Sequence, residues 1–119
     1  MTELSLCMIV KNEEERLARC LSSVQGAVDE IIILDTGSTD GTKDVASRFT
    51  QRVYDYAWDD DFSAARNASF AYATRPFILW LDADDVMERS EREKLMALKA
   101  RLTADVDAVM MKYHAGIGR

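Results

Sequence analysis

Two short apolar runs in this chain, Ile31-Ile32-Ile33-Leu34 and Phe77-Ile78-Leu79-Trp80-Leu81, each stop abruptly at an aspartate. Each has the length of a buried strand, so each strand delivers an acid to the loop that follows it. The second run ends in three carboxylates within four residues, Asp82, Asp84 and Asp85. Carboxylates this close repel one another unless a cation sits among them. Hard oxygen ligands at the lip of a sheet suit Mg2+ or Mn2+, which keeps its waters and shares its remaining positions with phosphate oxygens. The first run opens into Asp35-Thr36-Gly37-Ser38-Thr39-Asp40-Gly41-Thr42, a tight polar loop with two glycines. In an open α/β sheet, ligands bind outside the carboxyl ends of the strands where strand order reverses, so the two loops are expected to face one diphosphate-bearing ligand.

The rest of the chain alternates in the same way. Leu4 to Val10 reads as a buried strand, and Asn12 is placed to cap a helix whose first turn holds Glu13, Glu14 and Glu15. Leu17, Cys20, Leu21 and Val24 recur at helical spacing, and Gly26 closes that element. Glu30 to Leu34 gives the next strand, and a short helix after the glycine loop carries Val45, Ala46 and Phe49 inward. Val53 to Tyr56 begins a third unit, in which Asp59, Asp60 and Asp61 precede an alanine-rich helix from about Phe62 to Ala73. Pro76 punctuates before the fourth strand. Ser90 and Glu93 have capping-box spacing ahead of an apolar stripe at Leu95, Leu98 and Leu102, and Val106 to Tyr113 reads as a fifth strand. Strands alternating with helices require parallel crossovers, so the expected fold is α/β, a mostly parallel twisted sheet with helices on both faces.

At 119 residues the chain suits a single domain. A net charge of −6 argues against nonspecific nucleic-acid binding, which needs a basic face. A phosphate ligand remains compatible when a metal or an arginine supplies the positive charge. The amino terminus lacks a basic stretch ahead of a long apolar core, and no apolar run approaches membrane-span length, so a cytoplasmic location is expected. Cys7 and Cys20 fall on apolar faces and read as core thiols, while the lone His114 offers no basis for a zinc site or a histidine-dependent triad.

Several phosphate and metal chemistries are disfavoured by the residues themselves. The first turn, Val10-Lys11-Asn12-Glu13-Glu14, holds neither G-x-G-x-x-G nor G-x-x-x-x-G-K-[ST]. A calcium loop starting at Asp82 would put Val86 and Met87 where a ligand and the turn glycine belong. A phosphoacceptor domain needs its acid pair after the first strand, where this chain has Lys11. What remains is the ordered set Ile33-Leu34-Asp35-Thr36-Gly37-Ser38-Thr39-Asp40-Gly41-Thr42, Phe62-Ser63-Ala64-Ala65-Arg66-Asn67-Ala68 and Leu81-Asp82-Ala83-Asp84-Asp85. In this order and spacing, with the Lys11-Asn12-Glu13-Glu14 turn ahead of it, the chain resembles the family 2 glycosyltransferases of the GT-A fold.

The resemblance implies roles for particular residues. Asp35 is similar to the aspartate that recognises the nucleotide base, with Val10, Lys11 and Glu13 lining the same pocket, and Arg66 looks like the family's nucleotide-contacting arginine. Asp82, Ala83 and Asp84 form its D-x-D, with Asp82 near the ribose and metal and Asp84 as the direct ligand of Mn2+ or Mg2+. Each has a plainer rival: Asp35 capping its own turn, Arg66 in a surface ion pair with Asp61, and Asp59 to Asp61 as a solvated helix start. The activity implied is inverting transfer of a sugar from a nucleotide-diphosphate donor, UDP-linked by family preference, to the hydroxyl of a glycan, lipid or protein. The family's general base belongs to an acceptor-binding half that follows the fifth strand, where this chain stops, so residues 1–119 are expected to be the donor-binding portion. Glu88, Glu91 and Glu93 are explained by capping and are not nominated as that base. The rival from another class is a non-catalytic nucleotide- or metal-binding module derived from such an enzyme. An exposed sheet edge is expected to invite self-association.

Overall fold

The structure, a computed structural model, describes residues 3–75, 77–83, 86–101 and 109–112. The elements run β1 (Leu4–Val10), α1 (Glu14–Val24), β2 (Glu30–Asp35), α2 (Thr42–Ser47), β3 (Val53–Asp55), α3 (Phe62–Ala71), β4 (Phe77–Trp80), α4 (Arg89–Arg101) and β5 (Val109–Lys112). All four strand pairings are parallel and the order is β3-β2-β1-β4-β5. The chain therefore builds outward from β1 through β2 to β3, then returns to place β4 on the other side of β1. That return creates the switch point beside β1, as expected for an α/β sheet.

Alternation along each strand splits the core between two layers. Leu4, Leu6, Met8 and Val10 join Ile33, Phe77 and Leu79 against Leu17, Cys20, Leu21 and Val24 of α1, Val45 and Ala46 of α2, and Leu95 of α4. On the other face Cys7, Ile32 and Trp80 meet Phe70 and Ala73 at the end of α3. Cys7 is the register partner of both Ile32 and Trp80, so this second layer is one row across the sheet. Both cysteines are buried and neither forms a disulfide, as a core role requires, and burial pushes the Cys7 thiol up to about 12. Among the described residues no helix is long and apolar enough to cross a membrane.

Two capping expectations are corrected. Asn12 does not cap α1: the helix starts after Glu13 with no side-chain cap, and Asn12 adopts a left-handed φ of 53°. α4 already starts at Arg89, one residue before Ser90, and Glu93 pairs with Arg89 at 3.4 Å instead of reaching back to cap. Asp61 does cap α3, accepting from the Ala64 N–H at 3.0 Å. Pro76, Leu102 and His114 lie outside the described residues, as do the outer parts of the expected fifth strand.

Asn12 is diverted because it staples the β1 turn to the loop after β2. Its Oδ1 accepts from the Thr39 N–H at 2.7 Å, and its own N–H donates to Ser38 Oγ at 2.9 Å. Next along, the Glu13 N–H donates to Thr42 Oγ1 at 2.8 Å, and the Gly41 N–H donates to Glu14 Oε1 at 3.2 Å. A Cβ on Gly41 would stand 2.5 Å from the Glu14 carboxylate, so any larger residue would make that side chain shift. Gly37 is needed for another reason, a φ of +114° that L side chains rarely adopt.

The opposite edge of the sheet is tied by one buried carboxylate. Glu30 accepts from Ser5 Oγ at 2.7 Å, from the Thr74 N–H and hydroxyl at 2.8 and 2.7 Å, and from the Arg52 guanidinium. Burial alone would raise its pKa, but the Thr74 and Ser5 hydrogen bonds and the Arg52 charge outweigh it, and the group falls from 4.5 to about 2. A depressed carboxylate stabilises the fold fully above its unfolded pKa, and that contribution fades as the pH drops from 4.5 toward 2.

Glu30→Ala is accordingly expected to cost on the order of 2 kcal/mol at neutral pH, because it strands four donors on Ser5, Thr74 and Arg52, and to flatten the acid limb of stability in urea titrations. Asn12→Gly keeps the left-handed backbone while removing the acceptor. It should cost about 1 kcal/mol and speed hydrogen exchange at the Thr39 amide. Unchanged exchange there would show that the loop does not depend on the staple.

Candidate active site at the strand ends

Parallel register brings the two acid-bearing strand ends to one edge. Val10 is the partner of Asp35, and Cys7 of Trp80, so β1 overruns β4 and its end lies beside the segment that leads to Asp82. A cleft of about 240 Å3 at the switch point is lined by Ile9, Lys11, Glu13, Arg16, Asp82 and Ala83. A second, of about 250 Å3, is lined by Ile9, Val10, Lys11, Thr36, Trp58 and Phe62. Ile9 and Lys11 belong to both, so the clefts adjoin, one polar and one largely apolar. A larger cavity of about 390 Å3 lies at the amino ends of the strands around Glu30 and Arg52, far from these acids, where the two charges pair with each other.

Asp35 is 1% exposed. Its Oδ1 accepts from the N–H groups of Gly37 and Ser38 at 2.9 and 2.8 Å, which is the turn-capping role the sequence allows. Its Oδ2 is buried and, among the described residues, has no hydrogen-bond partner. A carboxylate oxygen shut away from water without a donor is costly, and a ligand N–H or O–H would satisfy it. The capping and ligand readings of Asp35 are therefore compatible, one on each oxygen.

The other expected site residues divide between the clefts and their surroundings. Val10, Lys11, Glu13, Asp82 and Ala83 all line one cleft or the other. Lys11 is exposed, and Glu13 is engaged by Arg16 in an ion pair. The main-chain carbonyl of Asp82 accepts from the Cys20 thiol at 3.6 Å, which fixes the chain at the cleft while leaving the carboxylate half-buried. Arg66 does not pair with Asp61; its guanidinium stands 5.8 Å from the centre of the ring of Phe62, a residue that lines the apolar cleft. Asp84 and Asp85 lie outside the described residues, among which no cluster of three or more histidine, cysteine or acidic groups could hold a metal. Asp82 still offers the kind of sparse oxygen donor that Mn2+ or Mg2+ supplements with phosphate and water.

Sequence reasoning missed Ile9, Arg16, Thr36, Trp58 and Phe62. Ile9 and Arg16 sit within elements whose periodicity announces only strand and helix. Trp58 and Phe62 did leave a signal, two large aromatics flanking an acidic loop, and they are 42% and 48% exposed.

Comparison with known proteins bears on the family and the fold. Residues 5–117 match Glycosyl transferase family 2. A TPR repeat-containing protein of Synechococcus elongatus is 53% identical over 85 residues, covering 71% of this chain and 21% of that protein. The SPbeta prophage-derived glycosyltransferase SunS of Bacillus subtilis is 37% identical over 109 residues, covering 89% of this chain and 26% of its own. Among solved structures, glucosyl-3-phosphoglycerate synthase from Mycobacterium tuberculosis, in complex with Mn2+ and UDP-glucose, aligns with a TM-score of 0.62 at 25% identity, over 71% of this chain and 34% of that one. Staphylococcus aureus TarS, residues 1–349, aligns with a TM-score of 0.63 at 20% identity, over 80% of this chain and 31% of that one, a likeness of fold. The chain thus spans between 21% and 34% of the length of these relatives. The sheet has the GT-A architecture, and because the family match runs along almost the entire sequence, this chain belongs to glycosyl transferase family 2.

Proposed function

We propose that the two adjoining clefts bind a UDP-linked sugar and that the domain serves inverting, divalent-metal-dependent transfer of that sugar to an acceptor hydroxyl. The observation that carries this reading is the buried, unpartnered Oδ2 of Asp35, two of whose neighbours line an apolar slot. Uracil is planar, and its imide N–H is the donor such an oxygen lacks. Val10 and Thr36, the register partner and the chain neighbour of Asp35, both line that slot. The diphosphate would then extend past Lys11 into the polar cleft toward Asp82, with Glu13 holding Arg16 at its rim. Arg66 braces Phe62 and is proposed to approach the nucleotide from behind it.

Asp82 and, two residues on, Asp84 are the proposed holders of the ion, which when bound would stabilise the charge that builds on the departing diphosphate. Lys11 adds a fixed positive charge on the same path. An acceptor hydroxyl attacking opposite the leaving group would invert the anomeric carbon and must lose its proton to a carboxylate. That base and the acceptor site are assigned to residues beyond this chain. The Mycobacterium tuberculosis synthase, crystallised with Mn2+ and UDP-glucose, supports the choice of donor and ion.

Calorimetry should show UDP binding that strengthens in Mn2+; no nucleotide binding, or binding indifferent to the metal, would count against the reading. Asp35→Asn retains the oxygen that caps the turn but replaces the lone acceptor with a donor. It is expected to weaken UDP on the order of tenfold or more and to improve the relative affinity for CDP, whose ring nitrogen accepts where that of uracil donates. Asp84→Asn is expected to abolish most of the gain from Mn2+ while sparing metal-free binding. Unaltered affinity in Mn2+ would remove Asp84 from the ion.

A further inference from the structure

Trp58 is held without being buried. It is 42% exposed, yet its indole N–H donates to Asp60 Oδ1 at 3.1 Å. Asp60 reaches that position from a left-handed φ of 64°, a conformation that aspartate tolerates better than most residues. The loop is anchored at both ends. Upstream, the Tyr56 N–H donates to the carbonyl of Asp35 at 2.8 Å. Downstream, Asp59 accepts from the Asp61 N–H at 3.2 Å, and Asp61 caps α3. Facing the same slot, Phe62 is fixed edge-on to Trp80, with centroids 5.9 Å apart and planes at 84°.

Each of the three aspartates therefore has a local task, and that of Asp60 is to hold an exposed indole by its N–H. An aromatic side chain that is immobilised but unburied is preorganised for a flat partner, since the entropy of fixing it has already been lost on folding. The slot has Ile9, Val10, Lys11 and Thr36 for its remaining lining, and Val10 and Thr36 are the register partner and the chain neighbour of Asp35, whose Oδ2 is unpartnered. We infer that Trp58 is the stacking wall for the nucleobase and that Asp60 is the residue that positions it. This rests on the nucleotide reading above and adds to it a second recognition element, contributed by the loop after β3, that acts on the ring face while Asp35 acts on the ring edge.

The chain has two tryptophans, and Trp80 is 3% exposed, so acrylamide quenching reports mainly on Trp58. UDP with Mn2+ should protect the fluorescence from quenching, whereas inorganic pyrophosphate with Mn2+ should not. Trp58→Ala should weaken UDP on the order of tenfold and leave pyrophosphate unchanged, as expected for a lost base stack. Asp60→Gly removes the acceptor while relaxing the backbone and should reproduce part of that loss. Asp60→Asn, which keeps both the acceptor and the left-handed conformation, should restore binding. Equal quenching with and without bound UDP, or equal weakening of UDP and pyrophosphate in Trp58→Ala, would overturn the inference and leave the nucleotide reading standing. Failure of the intact chain to bind UDP at all would overturn both.

Discussion

The stitching of the β1 turn to the β2 loop is the constraint on which the site depends. Parallel pairing sets Val10 beside Asp35, but pairing ends there, and two unsupported loops would diverge. Asn12, Glu13 and Glu14 prevent this by exchanging hydrogen bonds with Ser38, Thr39, Gly41 and Thr42. The consequence is that the backbone on either side of Lys11, which both clefts share, is tied to the strand end and the loop that carry Asp35. Gly37 and Gly41 serve the same end, one by its backbone angle and one by the space it leaves for Glu14.

The two edges of the sheet treat buried carboxylates in opposite ways. Glu30, at the amino ends, is surrounded by Ser5, Thr74 and Arg52, and every one of those contacts favours its ionised form. Asp35, at the carboxyl ends, is given two donors on one oxygen and none on the other among the described residues. A fold selected only for stability would satisfy both, since an unmet acceptor costs about 1–3 kcal/mol. The asymmetry follows the general tendency of α/β sheets to keep function at the carboxyl ends and structural closure at the other.

Much of this was legible in the sequence because apolar period and strand-end acids act locally. The runs at Ile31 and Phe77 give their strands without reference to anything distant, and the spacing of Leu17, Cys20, Leu21 and Val24 gives α1. Asp35 and Asp82 stood out from their position after strands, whereas Lys11 came only from the family resemblance. The capping of α1 was misjudged for the converse reason: Asn12 has an intrinsic preference for helix starts, and a tertiary contact with Thr39, 27 residues away, overrides it. Trp58 and Phe62 were missed because exposure of an aromatic is decided by the fold, and a sequence window cannot distinguish an aromatic that lines a cleft from one in the core. Arg66 lay between these cases; its spacing allowed Asp61 or Phe62, and α3 capping takes Asp61.

The electrostatics of the site follow from how few positive charges it retains. The chain carries a net charge of −6, so a diphosphate approaching it meets a repulsive field at long range. Arg16 is already neutralised by Glu13, and Arg66 is turned onto an aromatic ring, which leaves Lys11 as the exposed cation common to both clefts. One lysine cannot offset a diphosphate together with Asp82. A divalent ion held by Asp82 would reverse that balance, because its charge would turn Asp82 from a repelling group into part of the diphosphate's binding site. On the proposed reading, the same acidity would make affinity for a single diphosphate depend on the metal, and base recognition at Asp35 would then select which diphosphate stays.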